Sequence, residues 1–131
     1  MSAPFAVRVY YEDTDFAGVV YHANHLKFME RARTEALRAA GVEQGRLKAE
    51  TGLVFLVARL AIAYRRPAFL DDLLAVTTRV ARLGVASVTL DQAILRGAET
   101  VAAAEVRLAV VGADGRAAKA PDWLREALAG M

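Results

Sequence analysis

Tyr10-Tyr11-Glu12-Asp13-Thr14-Asp15-Phe16-Ala17-Gly18-Val19-Val20-Tyr21-His22-Ala23-Asn24-His25-Leu26, running on to Ala40, decides how the rest of the chain is read. Acids, histidines, an asparagine and a glycine crowd around the expected start of one long helix. Asp13, Thr14 and Asp15 can hydrogen-bond their own backbone, and Gly18 can take the φ that a sharp bend requires. Glu12 to Gly18 is therefore expected to be a tight turn. Asn24 has an N-cap side chain, and Gly41 suits the residue just past a helix end. The helix between them is about 25 Å long at roughly 1.5 Å per residue. Leu26, Phe28, Met29, Ala32, Ala36, Leu37, Ala39 and Ala40 fall in one half of its wheel; Lys27, Glu30, Arg31, Thr34 and Arg38 fall in the other. The apolar half is rich in alanine, which permits close approach to a sheet. His25 and Arg33 intrude on it.

Before this stretch, Phe5 to Tyr11 alternates and is rich in β-formers, so it reads as a strand. After it, Val42 to Gly52 is polar and glycine-punctuated, the pattern of a loop with one short helical turn. Val54 to Tyr64 is apolar on both faces, as a central strand would be. Arg65-Arg66-Pro67 ends it, and Ala68 to Asp72 is a turn. Leu73 to Leu83, Val85 to Leu95 and Thr100 to Val111 read as further strands, separated at Gly84 and Gly97. Ala113-Asp114-Gly115-Arg116 is a turn, and Pro121 to Leu128 a short helix with proline in its first turn. Short connections imply an antiparallel sheet. The long helix can bury its broad apolar face only on that sheet. The expected architecture is α+β, a curved five-stranded antiparallel sheet wrapped around one long central helix, in a single domain over 1–131. One helix covers such a sheet incompletely, so self-association is expected.

Bulk properties narrow the class. A chain of 131 residues leaves room for one substantial core. No window approaches the ~18 consecutive apolar residues of a membrane span. The first residues lack a basic segment followed by an apolar one, so no secretion signal is expected. The chain has no cysteine, which excludes disulfides and thiolate metal sites and fits a cytoplasmic protein. A net charge of +2 with scattered arginines gives no basic run for nucleic acid.

A carboxylate in a tight loop near a helix N-terminus suits acyl chemistry. The run Val9 to Asp15, then Gly18 to Asn24 (Gly-Val-Val-Tyr-His-Ala-Asn), then Phe28-Met29-Glu30-Arg31-Ala32-Arg33, resembles the hotdog-fold acyl-CoA thioesterases. Within them it is similar to the YbgC-type branch of the 4-hydroxybenzoyl-CoA thioesterase family. Tyr64, Pro67 and Asp71-Asp72 also stand in places that family uses. The resemblance implies a hotdog fold, a homodimer whose sheets join edge to edge, and a homotetramer. It implies hydrolysis of an acyl-CoA thioester, or of a thioester on acyl carrier protein. No metal or redox cofactor is implied; coenzyme A is part of the substrate. Asp15 matches the family's catalytic aspartate and His22 its motif histidine. His25 stands where the family more often has tyrosine.

A thioester carbonyl needs a nucleophile and stabilisation of the oxyanion that forms. Asp15 can activate water or attack directly. Backbone N–H groups at the helix start can receive the oxyanion; by the resemblance, that of His22 leads, with Ala23 second. Gly18 supplies the bend, and Tyr21 lies beside the substrate. Phe55 and Val57 are candidates for lining the acyl channel. Arg59, Arg65 and Arg66 are candidates for the CoA phosphates, since guanidinium forks suit phosphate. Simpler roles stand beside these. Asp13, Thr14 and Asp15 can be turn formers. His22 can be a structural hydrogen-bonder, Asn24 a cap, and His25 a pocket-wall or interface histidine. Glu30 and Arg33 can pair across one helical turn, with Glu30 a reserve catalytic group. A non-enzymatic hotdog module that binds acyl-CoA or acyl carrier protein is the competing reading. A hotdog dehydratase ranks last, for want of that group's His and Glu pairing.

Overall fold

A computed structural model describes residues 2–131. Strand β1 (Phe5–Arg8) leads through a 3-10 turn (Tyr11–Asp13) and a loop to helix α1 (His22–Ala39). Helix α2 (Gln44–Thr51) follows, then strands β2 (Val54–Tyr64), β3 (Leu73–Leu83), β4 (Ser87–Arg96) and β5 (Glu99–Val111), and helix α3 (Asp122–Ala129). The strands form one antiparallel sheet in the order β1-β3-β4-β5-β2, and α1 lies across it. The α+β architecture expected from the sequence is the one observed, and it is that of a hotdog fold.

Several local expectations need correction. The first strand stops at Arg8, because the Asp13 carboxylate accepts the Tyr10 N–H (2.9 Å) and turns the chain there. The segment after Gly41 is not a loop with one turn but the eight-residue α2, which buries Leu47. It ends at Gly52, whose φ is +76°. Pro121, expected at or near the first helical position, is the N-cap of α3, directly before Asp122 in its first turn. Most consequential is β2. It is an edge strand, with Leu56 and Val57 about half exposed. Apolar residues on both faces read the same in a central strand and in an edge that leaves its apolar side chains uncovered.

On α1 the expected stripe is largely the buried one: Phe28, Met29, Ala32, Ala36 and Leu37 are buried with His25 and Arg33, whereas Ala39 is exposed. They meet a sheet face that buries Val76, Val88, Leu90, Ile94 and Val106. Each large side chain sealed there contributes about 1.5–3 kcal/mol. Arg33 is accommodated by partners rather than by solvent. Its Nη1 donates to Gln92 Oε1 (2.9 Å), and its Nη2 pairs with the exposed Glu30, the pairing expected one turn apart. Gln92 Nε2 in turn donates to the Met29 carbonyl and to Thr78 Oγ1, both at 3.0 Å. This polar bridge ties the middle of α1 to β3 and β4.

One irregularity matters for the site. Along β2, Phe55 and Val57 lie opposite buried Val110 and Leu108, while Leu60, Ile62 and Tyr64 lie opposite Val106, Ala104 and Ala102. Ala58 is the extra residue between the two runs. This bulge shifts the alternation by one, so even-numbered residues face the helix beyond it. The turn before β3 is as expected, with Asp71 at φ +73° and Asp72 Oδ2 accepting the Phe69 N–H (2.9 Å).

Candidate active site

The loop between Thr14 and Val20 is closed at its base by an antiparallel bridge between those residues. Within it the Asp15 N–H donates to Val19 O and the Gly18 N–H to Asp15 O, both at 2.9 Å. Gly18 has φ +82°, and a Cβ there would meet nothing within 4 Å. Backbone conformation, not space, is what selects glycine. The Asp15 carboxylate is exposed; its Oδ1 accepts the Ala17 N–H (2.9 Å), the geometry of an Asx turn. Its Oδ2 has no protein partner among the described residues. Phe16, at the loop tip, is fully exposed.

Helix α1 begins two residues before the expected cap. Tyr21 is the N-cap, with no side-chain cap bond, and Asn24 is the third helical residue. Asn24 still holds the helix start, because its Nδ2 donates to the Asp13 carbonyl (3.0 Å), which also accepts the Tyr21 N–H (2.9 Å). The 3-10 turn thus anchors the helix start without capping its first N–H groups. Asn24 N–H donates to Tyr21 O. Among the described residues the N–H groups of His22 and Ala23 have no acceptor. They sit at the positive end of the helix, and no acidic residue occupies its first turn to neutralise them.

A cleft of about 300 Å³ opens at this helix end, lined by Val19, Val20, His22, His25, Tyr64, Arg65, Arg66 and Pro67. His25 is buried, as a pocket-wall histidine should be, and its Nδ1 lies 3.1 Å from the His22 carbonyl. A carbonyl only accepts, so Nδ1 carries the proton. Burial is the main cause that holds the His25 pKa below its usual value. Tyr64 stands edge-on to His25, ring centroids 5.0 Å apart, and its hydroxyl donates to the same carbonyl (2.8 Å). Desolvation raises the Tyr64 pKa, so the phenol keeps its proton. The Tyr21 ring packs at 4.5 Å on His22.

Of the expected site residues, the structure brings His22, Arg65 and Arg66 together in this cleft. Arg65 and Arg66 line the cleft; Arg66 also pairs with Glu99 (3.3 Å). Phe55 is half-buried against the core, and Val57 lies near it on the helix-facing side of β2. Arg59 pairs with Arg107 across the strands, just after the bulge, and, like Phe55 and Val57, does not line the cleft beside Arg65 and Arg66. Glu30, the reserve carboxylate, is engaged with Arg33. Asp15 does not line the cleft within one chain. Tyr64 was legible only as a family position; its role depends on the Ala58 bulge, which no local residue signals.

Residues 9–128 match the family model of the thioesterase-like superfamily. The chain belongs to that superfamily. It is 49% identical over 107 residues to an acyl-CoA thioesterase YbgC from Haemophilus influenzae, covering 82% of this chain and 79% of that one. An acyl-CoA thioester hydrolase YbgC from Escherichia coli O157:H7 is 44% identical over 95 residues, covering 72% and 70%. Among solved structures, a probable thioesterase from Bartonella henselae superposes with a TM-score of 0.86 at 40% identity, covering 90% of this chain and 98% of that one. A hypothetical protein from Thermus thermophilus does so with a TM-score of 0.92 at 29% identity and 98% coverage of each. Thioesterase-like membership agrees with the resemblance carried by the Tyr10 to Arg33 motif. Among the described residues no helix is long and apolar enough to cross a membrane.

Proposed function

We infer that this protein hydrolyses acyl-CoA thioesters, with Asp15 starting the reaction and the amide end of α1 receiving the oxyanion. Relatives identical at nearly half of the aligned positions carry that activity in their names. The observation that carries the site assignment is the pair of N–H groups on His22 and Ala23 with no acceptor among the described residues, at a helix end where His22 lines a cleft with Arg65 and Arg66. In this scheme water, deprotonated by Asp15, adds to the thioester carbonyl. The carbonyl oxygen takes the negative charge and is held by the helix-end amides, donors whose loss costs catalysis about 10²–10³-fold in other enzymes. Collapse expels the CoA thiolate and leaves the free acid. Direct attack by Asp15 gives instead a mixed anhydride that water then opens; the helix-end amides serve either route. His22 tunes the water or the leaving thiolate. The scheme uses no cofactor beyond the CoA of the substrate.

Phe55 and Val57 wall the acyl channel, Tyr21 and Gly18 border it, and Arg65 and Arg66 meet the phosphates of CoA. Arg59, within β2 and outside the cleft, is left out. The substrate comes from the cytoplasm, where CoA thioesters are made, and the protein is placed there too. A homodimer formed along the open β2 edge covers Leu56 and Val57, and closes a cleft that a single chain leaves open. An alanine-lined furrow on the other sheet face (Ala61, Ala63, Ala93, Ala103) suits stacking of two dimers into a homotetramer. Light scattering checks the assembly: a monomer with full turnover refutes the dimeric site.

A second reading has one observation in its favour. The Asp15 carboxylate accepts the Ala17 N–H, as a plain turn former would. On that reading the protein binds acyl-CoA or acyl carrier protein without turnover. Release of free thiol from a panel of acyl-CoA and acyl carrier protein thioesters separates the two. Asp15→Asn is expected to lower kcat by about 10²–10⁴-fold, the usual worth of a positioned general base. Wild-type turnover by Asp15→Asn rejects the catalytic assignment.

A further inference from the structure

Two side chains, Tyr64 from β2 and His25 from α1 itself, end on one atom, the carbonyl oxygen of His22. We propose that Tyr64 and His25 are positioning residues that load this carbonyl and so make the Ala23 N–H the stronger of the two oxyanion donors. The proposal rests on the reading that the amide end of α1 receives the thioester oxygen.

The His22 carbonyl and the Ala23 N–H belong to the same peptide group, whose resonance couples them. Hydrogen bonds to the oxygen draw electron density along the C–N bond and leave the N–H a better donor, by about 10–30% per bond. An ordinary peptide in the first turn of a helix has its carbonyl loaded by the backbone alone. Here the oxygen also takes the Tyr64 hydroxyl at 2.8 Å and His25 Nδ1 at 3.1 Å. The neighbouring peptide, which carries the His22 N–H, takes no tyrosine hydroxyl; its Tyr21 carbonyl takes the Asn24 N–H at 2.8 Å and only the weaker influence of the His25 ring. The two free amides are therefore unequal, and the one on Ala23 is favoured.

The clamp is built to hold its direction. Tyr64 meets His25 edge-on at 83°, and also stands edge-on to His22 with centroids 6.3 Å apart. His25 packs in turn on the buried Phe28 (6.5 Å). Tyr64 reaches this place because the Ala58 bulge turns it to the helix side and because β2 ends there, pairing Tyr64 with Ala102.

Tyr64→Phe removes the hydroxyl and keeps the ring. With the best acyl-CoA of the panel, the expected result is a five- to tenfold fall in kcat with KM within twofold of wild type. Two readouts separate positioning from general support. In ligand-free protein, the ¹³C′ shift of His22 and the ¹⁵N shift of Ala23 should move, while amides along β3 and β4 stay in place. With acyl-CoA bound to the slow Asp15→Asn protein, adding Tyr64→Phe should raise the infrared stretching frequency of the thioester carbonyl. Unchanged kcat overturns the proposal. So does a fall in kcat with both shifts and the stretch unmoved, since that is loss of structure without loss of polarisation. Failure of the Asp15 scheme shows separately, as full turnover by Asp15→Asn alone.

Discussion

Replacing Gln92 by leucine should cost far more than its surroundings suggest, and a second substitution should restore most of the loss. Gln92 is buried and makes three hydrogen bonds: it donates to the Met29 carbonyl and to Thr78, and accepts from Arg33. Each neutral bond contributes about 1 kcal/mol and the one to the guanidinium about 1.5–3 kcal/mol. Leucine returns roughly 1 kcal/mol through its extra apolar surface. The net loss for Gln92→Leu is then about 3 kcal/mol, most of it from leaving Arg33 Nη1 buried without a partner. Arg33→Met in the same chain removes that orphan, and Glu30 is exposed enough to be solvated alone. The double variant should therefore lie within about 1 kcal/mol of wild type, as replacements of buried polar groups by matched apolar ones do. Urea unfolding at fixed protein concentration and pH 7.5 measures all three. A double variant as unstable as the sum of the two singles would refute the reasoning, as would a Gln92→Leu loss below about 0.5 kcal/mol.

Two further outcomes follow from the site. Gly18→Ala forces an alanine to φ +82° in open space, so the cost is conformational, about 1–2 kcal/mol, and falls on an exposed loop. Turnover should drop about tenfold, and the urea midpoint should fall by no more than that cost; wild-type kcat would show that the bend does not hold Asp15. His25 takes up its proton less readily when folded than when unfolded, because burial lowers its pKa. Its contribution to stability is full above its ordinary pKa of about 6.5 and declines as pH falls below it, where the unfolded chain binds the proton first. Urea midpoints at pH 7.5 and 5.5 should thus differ more in wild type than in His25→Gln; equal differences would remove His25 as the cause.

What could be read along the chain was what depends on near neighbours. The stripe of Phe28, Met29, Ala32, Ala36 and Leu37 repeats at the helical period, and that period alone requires a sheet to lie on. Asp13, Asp15 and Gly18 marked a turn because their chemistry acts within a few residues. The bounds of β2 and β3 were equally legible, as each runs between strong breakers. Even the intruders on the helix, His25 and Arg33, announced themselves by breaking the pattern, though not their partners. What Tyr10 to Ala40 determined by itself was one helix, one bend and one carboxylate, together with a motif whose spacing matched a family.

The tertiary structure decided what depends on contacts far apart in sequence. It put β2 at an edge, since an apolar strand does not record how many neighbours it has. It made α2 a helix, although its residues have little amphipathic pattern, by packing Leu47 inward. It moved the helix start from Asn24 to His22, because the Asp13 carbonyl was there to hold Tyr21 and Asn24. It left Ala58 unpaired, which puts Arg59 on the sheet face away from α1, and the same bulge turned Tyr64 to the helix. A bulge is a mismatch between two strands, so neither strand's sequence contains it. For that reason the candidate carboxylate, Asp15, was visible in the chain, whereas the Tyr64 bond to the His22 carbonyl appears only when β2 and α1 are brought together.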